Sequence, residues 1–168
     1  KRVSFEGPEE DLKKTSVTQP AVFVHSLVAY EALRDTGFSS SIVAGHSVGE
    51  CAALYAADVF GFEEGLKLVA ARGRAMEAAG AKRKGTMAAI IGLDAEQVAG
   101  LCSEVPGTVF PANLNAPEQI VISGEVEAVR SAMKSAKSRG AKRAIELAVS
   151  GAFHTELMAP AVEFLRPV

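Results

Sequence analysis

Along the first half of the chain the spacing of apolar positions alternates between helix-like and strand-like segments, which suggests an α/β layer structure. Pro20 stands where a helix can begin, with Thr18 as a cap before it, and Gly37 is placed to stop that helix after about Thr36. Val22, Phe23, Val24, Leu27 and Val28 leave it apolar on nearly all sides, as in a buried helix. Ile42-Val43-Ala44 predicts a short strand, and the small residues from Cys51 to Ala57 predict a further helix. Residues 62–79 are the clearest amphipathic segment. Phe62, Leu66, Leu68, Val69, Gly73, Ala75 and Met76 share one arc, and Glu63, Glu64, Lys67, Arg74 and Glu77 the opposite one. Arg72 breaks the pattern, since it falls inside the apolar arc between Leu68 and Met76.

From Gly85 onward the period changes. Thr86 to Leu93 reads as a strand, Asp94 to Val105 as a helix opening on an aspartate, and Thr108 to Asn113 and Gln119 to Ser123 as two strands. Glu125 to Arg139 is a second helix closed by Gly140, and Lys142 to Val149 a final strand. The order βαββαβ is the ferredoxin-like pattern. The basic stretch Gly80-Ala-Lys-Arg-Lys-Gly85 is the natural hinge into this small lobe, expected over residues 82–149. The remainder, 1–81 and 150–168, is expected to form a larger α/β-hydrolase-like body into which the lobe is inserted. Lys1-Arg2 starts, and Ala161 to Val168 stops, in mid-pattern, so that body is expected to be incomplete.

Composition narrows the classes without choosing among them. With 168 residues, 48% hydrophobic and 23% charged, a packed core is within reach, and a net charge of −2 disfavours nucleic-acid binding. Cys51 and Cys102 have no metal-ligand spacing and fit a reducing compartment, so a cytoplasmic protein, or one of an organelle stroma or matrix, is expected. No apolar run is long enough to span a bilayer. The expectation is a monomer without metal, bound cofactor, nucleic acid or membrane.

The candidate chemistry centres on Gly45-His-Ser-Val-Gly49, lying between the predicted strand and helix. In a nucleophile elbow the flanking glycines relieve a strained turn, the serine oxygen projects from it, and the N–H of Val48 faces the developing oxyanion. A glycine-rich turn with a chance serine is the other reading. A serine nucleophile needs a base. His25 lies in the apolar helix and reads as a hydrogen-bonded core histidine, while the side chain of His46 points away from its neighbour's. His154, where the chain leaves the small lobe, remains. No acidic residue between Ser47 and His154 stands out as a third triad member, which weighs against a lipase or esterase. Arg72 is a snorkelling residue, an ion-pair member or an anion site.

In this order, Ser4-Phe-Glu-Gly-Pro8, Thr18-Gln-Pro-Ala21, Gly45-His-Ser-Val-Gly-Glu50, Arg72-Gly73, Met87 to Leu93, Asn113 to Pro117, Val121-Ile-Ser-Gly124 and Gly151-Ala-Phe-His154 with Leu157-Met158 span essentially the whole chain. The sequence thereby resembles the malonyl-CoA:acyl carrier protein transacylases of fatty-acid synthesis and the related acyltransferase domains of polyketide synthases. The resemblance implies a malonyl-serine intermediate at Ser47, His154 as its base in a dyad, and Arg72 as the holder of the malonyl carboxylate. It further implies Gln19 below the site, an oxyanion N–H from Val48, and an acyl-selecting position at Phe153. Asn115 supports the site's loop or forms a turn. Malonyl-CoA is then the substrate, acyl carrier protein and a coenzyme A thioester the partners, and no cofactor is needed. The family's N-terminal glycine-glutamine-glycine segment and its C-terminal sheet-completing segment are expected to lie outside this sequence. The resemblance implies an acidic carrier, for which the basic cluster Lys134, Lys137, Arg139, Lys142 and Arg143 is a candidate dock; a solvated helix face is the alternative. A serine hydrolase acting on acyl thioesters, or an inactive carrier-docking module, are the competing functions.

Overall fold

Residues 2–149 and 151–167 are described by a computed structural model. The chain divides into two compact units, one of Lys1–Ala75 with Phe164–Val168 and the other of Met76–Glu163.

The first unit is helical. Short helices α1 (Arg2–Glu6) and α2 (Glu9–Leu12) lead into α3 (Thr15–Arg34), followed by α4 (Val48–Ala56) and the first part of α5 (Phe62–Lys82). The start of α3 lies one turn earlier than the proline predicts. The Lys14 carbonyl already accepts from the N–H groups of Val17 and Thr18 at 2.8 Å, so the helix is nucleated before Pro20, which sits inside it. Thr18 is therefore no cap, and its hydroxyl turns back onto the carbonyls of Leu12 and Lys14. Gly37, at φ 86°, closes the C-terminal turn as expected.

Nor is α3 buried all round. Its buried positions are Thr15, Gln19, Phe23 and Leu27, a single stripe at a spacing of four. Val22 and Val28 are 42% and 64% exposed, and His25, expected in the core, is exposed too. Phe23 and Leu27 instead pack with Cys51 of α4 and Val69 of α5, and each such fully buried side chain contributes roughly 1.5–3 kcal/mol. Glycines bring α5 close to α3. A Cβ at Gly65 would lie 2.7 Å from the Phe23 ring, and one at Gly73 would lie 2.9 Å from Ser16 Cα. Tyr55 ties α4 to α3 through a 2.8 Å hydrogen bond from its hydroxyl to Glu31 and an edge-on contact with Tyr30.

The predicted strand at Ile42-Val43-Ala44 is a correction. The backbone there is extended, but no ladder partner exists among the described residues, and Ile42 is 87% exposed. A strand is made by its neighbour's hydrogen bonds as much as by its own residues.

The second unit contains β1 (Gly85–Ile91), α6 (Ala95–Glu104), β2 (Val109–Ala116), β3 (Gln119–Glu125), α7 (Val126–Ser138) and β4 (Arg143–Glu146). The sheet is antiparallel throughout, in the order β2-β3-β1-β4. Alternation puts Ala88 and Ile90 of β1 and Ile120 and Ile122 of β3 on one face, packed against Val98 and Leu101 of α6 and Val129 and Ala132 of α7. The aspartate predicted to open α6 does so in a reciprocal capping box, Asp94 accepting from the Gln97 N–H at 2.8 Å. Strand β2 is longer than predicted because register shifts at Pro111/Asn113 and Leu114/Ala116 let it bend while still pairing. Strand β4 is shorter than predicted, its ladder with β1 covering only Arg143 to Glu146. A single 3₁₀ turn (Glu156–Met158) and α8 (Ala159–Leu165) follow. No helix among the described residues is long and apolar enough to cross a membrane.

Candidate active site

Among the described residues, four other than glycine have positive φ: Ser47, Asp58, Glu118 and His154. Asp58 lies in the turn after α4 and Glu118 in the β2–β3 hairpin, where such backbone is ordinary. His154 also lies in a turn, at residues 153–154, whereas Ser47 combines its positive φ with ψ −115°, outside the left-handed region, and strain at non-glycine residues gathers at functional sites.

Ser47 sits at φ 54°, ψ −115°, immediately before the first residue of α4. The turn requires Gly45, because a Cβ there would lie 2.0 Å from the Gly49 carbonyl carbon and oxygen. Gly49 has open space where its Cβ would be, so the sequence expectation that both flanking glycines relieve crowding holds for Gly45 alone. Val48 opens α4, and its N–H belongs to the first turn, which has no intrahelical acceptor. The same helix end carries partial positive charge. Both features suit a developing oxyanion beside Ser47.

Arg72 joins this elbow from α5. Its Nη2 donates to Ser47 Oγ at 3.2 Å and its Nη1 to Gln19 Oε1 at 2.5 Å. Arg72 is partly buried and Arg74, two residues on, is exposed, as the arcs predicted. Arg72 forms no ion pair among the described residues. Its charge reaches Cys51, one turn into α4: burial raises that thiol's pKa, Arg72 pulls it back down, and Glu50 pushes it up. The structure thus brings Ser47, Val48, Arg72 and Gln19 together within one unit. A groove of about 480 Å³ beside the elbow is lined by Val43, Ala44, Gly45, Glu50, Ala53, Leu54 and Ala57.

His154, Phe153 and Asn115 belong to the other unit. His154 is exposed, at φ 61°, and its neighbours hold the backbone. Thr155 Oγ1 donates to the Ala152 carbonyl at 2.8 Å and accepts from the Leu157 N–H at 3.3 Å, while Ala152 and Leu157 are buried. Gly85 permits this packing, since a Cβ there would lie 2.5 Å from that of Ala152. Sequence reasoning passed over Thr155, although a threonine opening a helical turn is a readable cap signal. Phe153 is half-buried, its ring 3.3 Å from a Cβ built on Gly151. Asn115 is exposed at the second register shift of β2, on a strand rather than in a turn.

The basic cluster is unequal. Arg139 pairs with Glu104, and Lys142 with Glu118 at 3.1 Å. Lys134 and Lys137 are exposed on α7, and Arg143 is exposed on β4.

Comparison with known proteins agrees with the motif order. The malonyl CoA-acyl carrier protein transacylases of Bacillus subtilis and Escherichia coli K12 are 46% and 43% identical, over 98% and 95% of this chain and 53% of their own length in each case. The crystal structure of an acyl-carrier-protein S-malonyltransferase from Burkholderia pseudomallei superposes with a TM-score of 0.93 at 41% identity, over 99% of this chain and 55% of that one. A malonyl-transacylase solved in complex with its type II polyketide synthase acyl-carrier protein gives 0.92 at 43%, over 98% of this chain and 54% of that one. The chain therefore spans about half the length of the relatives it matches. Residues 2–167 match the family described as the acyl transferase domain, and with its strained serine and the arginine bonded to it, the chain belongs to that family.

Proposed function

We propose that this chain carries the nucleophile, base and acyl-selecting residues of a malonyl-CoA:acyl carrier protein transacylase. The observation that carries the reading is the guanidinium of Arg72 on the hydroxyl of Ser47. In a malonyl ester of that hydroxyl, the free carboxylate lies one methylene beyond the ester carbonyl, within reach of a guanidinium already 3.2 Å from Oγ.

The reaction runs in two half-reactions. His154 takes the Ser47 proton as Oγ attacks the thioester carbonyl. The tetrahedral oxyanion is held by the Val48 N–H, and the C–S bond breaks as the proton passes to the departing coenzyme A thiol. The pantetheine thiol of the carrier then gives its proton to His154 and attacks the serine ester, and Ser47 leaves with that proton. Arg72 holds the carboxylate throughout and favours dicarboxylic acyl chains over plain ones. The names of the relatives, one of them solved with its carrier, support this reading.

The same reading extends to the fold. The antiparallel order β2-β3-β1-β4 with two intervening helices supports a ferredoxin-like lobe over 82–149, inserted into an α/β-hydrolase-like body of 1–81 and 150–168. The extended residues 42–44, which have no ladder partner among the described residues, suit a body whose sheet includes further strands.

Exposure of the full-length protein to malonyl-CoA, followed by intact mass and free-thiol measurement, tests the activity. A gain of one malonyl group matched by thiol release supports a transacylase. Continuous thiol release with no gain in mass identifies a hydrolase, and neither change identifies an inactive docking module.

A further inference from the structure

Gln19 is buried, 7% exposed, on the same stripe of α3 as Phe23 and Leu27. Its Oε1 accepts from Nη1 of Arg72, while Nη2 of the same guanidinium reaches Ser47. Two donors on one rigid plane are thus fixed at two points, and the orientation of the plane follows from where Gln19 holds it. The chemistry of the holder matters as much as its position. A carboxylate in its place would orient the fork equally well but would cancel the charge, leaving little attraction for an anionic acyl chain. A carboxamide orients the guanidinium and leaves its charge in force.

We propose that Gln19 is a positioning residue that determines acyl specificity: its amide oxygen presents the uncompensated cation of Arg72 to the acyl chain on Ser47. This rests on the reading of Ser47 as the malonylated nucleophile. Gln19 itself does not touch the acyl group. Its effect passes through Arg72 and vanishes without it.

The test is a double-mutant cycle on the full-length protein, reading kcat/KM for malonyl-CoA and for acetyl-CoA and, from these, their ratio. Gln19→Leu removes the acceptor, and the ratio should fall on the order of tenfold, the effect of one lost hydrogen bond to a charged group. Gln19→Glu, of nearly the same shape, keeps the acceptor and cancels the charge, so the ratio should fall further, on the order of a hundredfold. In an Arg72→Ala background Gln19→Leu should not move the ratio by more than about twofold. Should Gln19→Leu fail to fold, as thermal melting would show, Gln19→Glu decides alone. The proposal is overturned if the Gln19 variants lower both substrates equally, or if Gln19→Leu still shifts the ratio without Arg72. If Arg72→Ala leaves the malonyl preference intact, the malonyl reading itself fails and the role of Gln19 falls with it. If Arg72→Ala abolishes the preference and the Gln19 variants retain it, only the role of Gln19 is lost.

Discussion

Alanine at Gly73 would place a methyl carbon 2.9 Å from both Ser16 Cα and the Thr15 carbonyl oxygen. Both are backbone atoms near the start of α3, so no side-chain rotation can relieve the contact. Ordinary van der Waals separation begins at 3.4 Å, so full relief parts the two helices by about 0.5 Å. Overpacking of this kind costs about 1–3 kcal/mol. In a chain of this size each kcal/mol lowers Tm by roughly 2–4 °C. The same displacement separates Arg72, the preceding residue, from Gln19, which lies one turn along α3 from Thr15. A misplacement of about 1 Å around a reacting group can cost on the order of a hundredfold in rate, so half that shift should slow malonylation about tenfold. Thermal melting and the pre-steady-state rate of malonyl transfer to the protein measure the two effects. Gly100→Ala is the control, since Gly100 lies inside α6 with open space around its missing Cβ. It should stabilise by roughly 0.5–1 kcal/mol and leave transfer alone. If Gly73→Ala behaved like Gly100→Ala, the close approach of α5 to α3 would not be what positions Arg72.

Arg72→Ala should lower the malonyl-to-acetyl ratio of kcat/KM by roughly ten- to a hundredfold, with Arg72→Lys recovering only part, because an ammonium lacks the planar fork; Arg74→Ala, on the exposed arc, should change little, and an equal effect at both positions would refute the assignment. Burial raises the Cys102 thiol to about 11 from 9.0, so the folded chain keeps a proton that the unfolded chain has lost between those values. The associated stability is complete below pH 9 and is lost as pH rises to about 11, at up to ~1.4 kcal/mol per pH unit. Urea unfolding at pH 8, 9.5 and 11 should show that extra slope in the wild type and not in Cys102→Ala. Reversing Lys134 and Lys137 to glutamate should raise KM for carrier protein and weaken its salt dependence while sparing malonylation of Ser47; unchanged carrier kinetics would move the dock elsewhere.

Strands β1 and β3 were legible because each carries a short apolar run bounded by glycine, proline or aspartate, and the capping signal at Asp94 was local. The helical unit was harder. The start of α3 depends on the Lys14 carbonyl rather than on Pro20. Its apolar surface is too broad for periodicity to say which stripe is covered, and so His25 was misplaced. Residues 42–44 read as a strand because a sequence window contains the residues of a strand but not its partner. Arg72 was legible as a misfit within its own helix. The residue holding it lies 53 positions earlier on another helix, and no spacing rule connects the two. Only the resemblance pointed to Gln19, and it gave no hint of the pairing.

The central claim is that the strained serine of the elbow carries the acyl group. It is tested most directly by brief exposure of the full-length protein to malonyl-CoA, acid quench, proteolysis and mass mapping of the acylated peptide. The malonyl group should reside on the peptide containing Gly45-His-Ser-Val-Gly49, at Ser47, and be absent from a folded Ser47→Ala variant. Malonyl found on another residue, or full labelling of Ser47→Ala, would contradict the account.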